Sequence, residues 1–253
     1  MAMRQTGLTS AVSIEWKRLA QPPQGVKFAL GLPQAEAGST LSTRHFHRMI
    51  RDAPRGATMT TSPQPSQNAA LSRDQALALL HEHTEGPGLR KHALAVEAAM
   101  RAYARKLGGD PELWGITGLL HDFDYEKHPG KEEHPFVGCR ILEERGYPGE
   151  MIQAVLGHAS YSGTPRETPM ARALYASDEL CGLITATALV QPGKTLAEVT
   201  PDSVLRKMRS KGFARSVNRD EIEEGARELG VPLEEHVAFV LQALQREAGA
   251  LGL

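Results

Sequence analysis

From about residue 71 to the C-terminus, apolar residues recur three and four positions apart, the period of a helix with one buried face, and no stretch alternates as a half-buried strand would. Helix punctuation divides this part of the chain. Ser72 can cap a helix to about His83, and Gly86-Pro87-Gly88 breaks it. Leu89, Ala93, Val96, Met100 and Tyr103 then mark a helix over 89–107, closed by Gly108-Gly109. Asp110 before Pro111 starts a third, which carries Trp114, Ile116 and Leu120 into His121-Asp122. Residues 123–133 read as an exposed loop. Further helices are expected over 134–145, from Pro148 to about 159, from Thr168-Pro169 to about 190, from Thr200-Pro201 to about 211, from Asn218 to 229, and from Pro232 to about 248. The fold class is all-α.

The first 70 residues differ. Residues 1–58 hold eight Lys or Arg against three acids, scattered Gly and Pro, and no sustained hydrophobic period. They read as an irregular extension in preference to a transit peptide or nucleic-acid arm. Thr60 to Ala70, rich in Pro, Ser, Thr and Gln, reads as a linker, so 1–70 is extension and linker and 71–253 the folded domain. The net charge of −1 gives no general pull toward polyanions, and no clear nucleic-acid surface is expected. No apolar run reaches the length of a membrane span. Two cysteines, Cys139 and Cys181, imply no disulfide framework, and a reduced, cytoplasmic protein is expected.

The chemistry sits where the third helix runs out. His121 and Asp122 are adjacent, and His92, His134, His158 and Asp178 lie at intervals a helical bundle can bring together. His92 and Asp178 fall on the apolar stripes of their helices, and a carboxylate buried there asks for a cation. The six are read as one metal centre. Asp122, with two oxygens, can bridge an ion held by His92, His121 and Asp178 to a second held by His134 and His158. Mixed nitrogen and oxygen ligation suits Fe, Mn, Co, Ni or Zn without choosing among them. His134 is preferred to His128 because a ligand on a helix is better fixed than one beside Pro129-Gly130. His81, His83 and His236 are read as surface or capping residues.

This ordered series resembles the HD superfamily of metal-dependent phosphohydrolases over roughly residues 80–190. With the segment 174–186, it looks like a group of HD hydrolases whose substrates are unidentified. The resemblance implies an HD-type helical bundle and hydrolysis of a small phosphorylated substrate, such as a nucleotide, by a metal-activated water. Many such enzymes have Gly and Lys two and three places after the Asp of the pair, where this chain has Asp124 and Tyr125. Lys127, Lys131 or Arg166 can replace the missing cation, and Asp124 can orient a ligand histidine. Catalytic roles are therefore expected for Asp122, Asp124, Lys127 and Arg166. The same series also resembles the di-iron oxygenases built on this fold, and a non-catalytic binding module is a third reading.

Overall fold

A computed structural model of the chain describes residues 72–253, and within them the only regular structure is helical. The extension, the linker and the domain start at Leu71 lie outside the described residues. Ten α-helices follow in order: α1 (Arg73–His83), α2 (Pro87–Leu107), α3 (Pro111–Leu120), α4 (Phe136–Glu144), α5 (Gly149–His158), α6 (Pro169–Leu189), α7 (Pro201–Arg209), α8 (Arg219–Leu229), α9 (Leu233–Arg246) and α10 (Ala248–Leu251). The expected all-α bundle is thus the observed fold of the described residues. No helix among the described residues is long and apolar enough to cross a membrane.

The expected punctuation starts these helices. Side chains of Ser72, Asp110, Thr168 and Asn218 accept backbone N–H groups of the first turn that have no partner within the helix. Thr200 and Ser203 form a reciprocal capping box. Pro87 is the first residue of α2, so the break lies at 84–86 and not at the whole Gly-Pro-Gly run. The fourth helix begins at Phe136, which leaves His134 in the turn before it.

Helices α2 and α6 are the longest, and α6 is buried along almost its whole length, packed against α2, α5 and α8. Small residues set the close approaches. A Cβ on Gly118 would lie 2.8 Å from the Val96 carbonyl oxygen, so the end of α3 rests against α2 and brings His121 beside His92. A Cβ on Gly225 would lie 2.5 Å from Cα of Ala176, which fixes α8 against α6.

That contact is backbone against Cβ, and neither partner can give way by a rotamer change. Gly225→Ala should therefore cost about 1–3 kcal/mol, the scale of core overpacking. Urea unfolding of the two proteins measures it, and a change below about 0.5 kcal/mol would show that α8 is free to move off α6.

Candidate metal centre

Three helix ends and two helix interiors converge here. His92 comes from α2, His121 and Asp122 follow the end of α3, His158 closes α5, Asp178 lies within α6, and His134 sits in the turn before α4. All six are buried. They form two overlapping groups, His92, His121, Asp122 and Asp178 in one and Asp122, His134 and His158 in the other, and each group can hold a metal ion.

Asp122 belongs to both and divides its oxygens between them. Its Oδ1 lies 3.2 Å from Nε2 of His134 and 3.2 Å from Nε2 of His158, and its Oδ2 lies 3.5 Å from Nε2 of His121. In the first group, Oδ1 of Asp178 is 2.8 Å from Nε2 of His92 and 3.4 Å from Nε2 of His121.

Three of the imidazoles are oriented from behind. Nδ1 of His121 donates to the Gly118 carbonyl at 2.7 Å, Nδ1 of His158 to the Val155 carbonyl at 2.5 Å, and Nδ1 of His134 to Oδ1 of Asp124 at 2.8 Å. Each neutral ring then presents the lone pair of Nε2 to the cluster. Nitrogen lone pairs facing carboxylate oxygens repel unless a proton or a metal ion lies between them. Nε2 of His121 is buried with no hydrogen-bond partner. Nε2 of His134 and His158 are 3.3 Å apart and each 3.2 Å from Asp122 Oδ1. Ligands about 2.1 Å from one ion, at octahedral to tetrahedral angles, stand about 3.0–3.4 Å from one another, so this triangle has the dimensions of a coordination face.

Asp124 is fully buried and does not line the cavity above the centre. One oxygen holds His134 and the other accepts the Gly138 backbone N–H at 2.7 Å. It is placed to orient His134 and lies away from the cavity, although a catalytic role was expected of it. A Cβ on Gly138 would lie 2.8 Å from the Asp124 carboxyl carbon, so the glycine makes room for this carboxylate. The start of the expected exposed loop, Phe123 and Asp124, is thus core.

Two expected catalytic cations are placed elsewhere. Lys127 donates to the Glu82 carbonyl at 2.8 Å, capping the last turn of α1, and is absent from the cavity wall. Arg166 forms a paired bridge to Glu228 at 2.5 and 2.7 Å, donates to the Gly157 carbonyl and stacks 3.6 Å over the Tyr175 ring. It ties α8 to the end of α5. The cation at the cavity is Lys131, whose ammonium sits 5.3 Å over the ring of Tyr161. Tyr161 in turn donates to the backbone oxygen of His134 at 3.0 Å. The cavity, of about 310 Å³, has Asp122, Asp178, His134 and His158 in its wall together with Lys131 and Tyr161.

The remaining histidines divide. His128 is paired at the surface with Glu133, and His81 is exposed. His236, expected at the surface or at a cap, is buried instead. Its Nδ1 accepts from the Tyr103 hydroxyl at 2.6 Å and its Nε2 donates to the Ala176 carbonyl at 2.9 Å, while burial lowers its pKa to about 4. This neutral histidine joins α9 to α2 and α6.

These buried histidine and aspartate clusters, converging on a pocket of a helical bundle, could hold metal ions. Comparison with protein families matches residues 89–183 to the HD domain, which supports membership of the HD superfamily. That superfamily consists generally of metal-dependent hydrolases. Comparison with curated proteins and with solved structures found no match.

The electrostatics give a pH test. Burial, the largest influence on His121, opposes its charged form, but Asp122 and Asp178 outweigh it and raise the imidazole to about 9. His134 is raised to about 9 in the same way, against burial, by Asp122 and Asp124. Asp122 resists its own burial through its histidine neighbours and is held well below the ordinary carboxylate value. Without metal, protonated His121 and His134 stabilise the fold below the unfolded value of about 6.5, and this contribution is lost as pH rises through about 9. Metal ligation needs both rings neutral, so metal affinity should rise over the same window. Melting temperatures between pH 6 and 9, with EDTA and with excess Mn²⁺, should therefore diverge as pH rises. Parallel curves would show that these histidines do not bind the ion.

Proposed function

We propose that the protein is a dinuclear metal-dependent phosphohydrolase acting on a phosphoester. The observation that carries this reading is the division of Asp122 between two buried ligand groups at the wall of a cavity that also holds Lys131. His92, His121, Asp122 and Asp178 would hold one ion, and Asp122, His134 and His158 the other. Divalent ions held there would supply Lewis acidity toward phosphoryl oxygens and a water made acidic near neutral pH.

The chain's own residues set the conditions for that chemistry. Asp122 and Asp178 repel a phosphate group unless their charge is compensated, which couples substrate binding to metal occupancy. Lys131, steadied over Tyr161, draws the anionic group to the wall beside His134 and His158. Asp124 keeps His134 in the tautomer whose Nε2 faces inward. The cavity is at the small end of ligand pockets, and takes a small phosphate ester or the end of a longer one.

Hydrolysis of p-nitrophenyl phosphate or its diester should appear with Mn²⁺, Co²⁺ or Fe²⁺ under anaerobic conditions. Lys131→Ala should raise KM about tenfold, the scale of one lost charged contact, with kcat changed less. Turnover confined to iron with dioxygen would transfer the site to the oxygenase reading.

Metal stoichiometry tests the dinuclear arrangement. The wild type should hold two ions per chain, His134→Ala or His158→Ala one, and Asp122→Ala none. A wild type with one ion, retained when both histidines are removed, would make the centre mononuclear.

A further inference from the structure

Between Asp202 and Asp220 the chain carries six cations, Arg206, Lys207, Arg209, Lys211, Arg215 and Arg219, and no acid. Two of them serve the fold. The Arg219 guanidinium donates to the carbonyls of Phe213, Ala214 and Val217, fixing the connection between α7 and α8, and the Lys207 ammonium lies 4.5 Å over the Phe213 ring. Arg206, Arg209, Lys211 and Arg215 are exposed, and their side chains make no hydrogen bond, ion pair or ring contact among the described residues. Exposed charges are ordinarily just solvated. Four in a run of ten residues, two on α7 and two on the locked connection after it, with no acid among them, form a local positive field.

Its place in the fold gives that field a use. Ser216 and Asn218 of the same connection line the metal-centre cavity, directly after Arg215. Another part of the cavity wall holds Lys131 and Tyr161, a residue 44% exposed. The acids that follow in α8 do not all oppose it. Glu221 and Glu224 accept from Ser160 and Tyr175, and Asp220 and Glu221 sit at the positive end of the helix dipole.

We infer that residues 206–215 form a binding strip for single-stranded polynucleotide, which leads one end of the strand to the cavity. Cations along a backbone track with an exposed aromatic at its end are the two elements of sequence-tolerant single-strand binding. A cavity of about 310 Å³ admits a terminal nucleotide and excludes a duplex. The end of the strand as substrate rests on the phosphoesterase reading. The strip itself does not.

The test is fluorescence anisotropy of the full chain with labelled dT12 in EDTA, where nothing turns over. Four neutralised phosphates predict a salt slope near −3, and so a Kd that rises about fiftyfold between 50 and 200 mM NaCl. The variant R206Q/R209Q/K211Q/R215Q should bind at least tenfold more weakly at 50 mM and lose most of that slope, while keeping metal content and p-nitrophenyl phosphate hydrolysis. The basic leader is present in both proteins, so their difference reports the strip alone. Tyr161→Ala should weaken dT12 more than it weakens inorganic polyphosphate, which has no base to stack. Equal affinity and slope for wild type and quadruple variant would overturn the strip. Binding to vesicles of 30% phosphatidylserine but not to dT12 would replace the polynucleotide by a lipid surface. Binding of dT12 by a protein that hydrolyses no phosphoester would retain the strip and remove only the reaction.

Discussion

A carboxylate confined among four imidazoles is the constraint on which the rest of this structure depends. Asp122 is nearly inaccessible to solvent, and both its oxygens face nitrogen atoms. Left uncompensated, a buried charge of this kind costs several kcal/mol or shifts its pKa until it is neutral. The surrounding histidines are not free to turn away, because Gly118, Val155 and Asp124 hold three of them by Nδ1. The centre is therefore built for a cation. Its protonated imidazoles stand in for one when metal is absent.

The scaffold serves this arrangement through close approaches more than through large side chains. Gly118 lets α3 rest on the α2 backbone, and Gly138 leaves space for Asp124. Gly225 seats α8 against α6, the helix that carries Asp178. In each case the atom that a Cβ would meet is one whose displacement would move a ligand or the residue that orients it. Packing and coordination are thus the same set of contacts, and a small change in helix spacing is felt at the metal positions.

Cations divide by whether the fold has used them. Arg166 and Arg219 spend their guanidinium donors on carbonyls and a carboxylate, and Lys127 caps a helix end. Lys131, in contrast, is held by a ring face, which steadies the ammonium without neutralising it. That difference decides which positive charges remain for an anionic ligand.

The sequence by itself determined the helices, their caps and the six convergent candidate ligands. These follow from local rules: apolar spacing, capping side chains, and the improbability of buried histidines and aspartates without a shared purpose. It also placed Asp124 behind a ligand. It did not distinguish Lys131 from Lys127 and Arg166, since nothing in one dimension tells which carbonyl, carboxylate or ring a long flexible side chain will meet. The burial of His236 is hidden for the same reason, because its partners lie on two other helices. His134 was preferred over His128 on a helix boundary that the fold moved, yet Asp124 fixes the ring that the helix does not. Only the tertiary structure decided that Asp122 addresses a different group of ligands with each oxygen, and that the basic connection after α7 reaches the cavity. Both depend on how helices distant in sequence cross, and that is set by close backbone contacts such as those of Gly118 and Gly225.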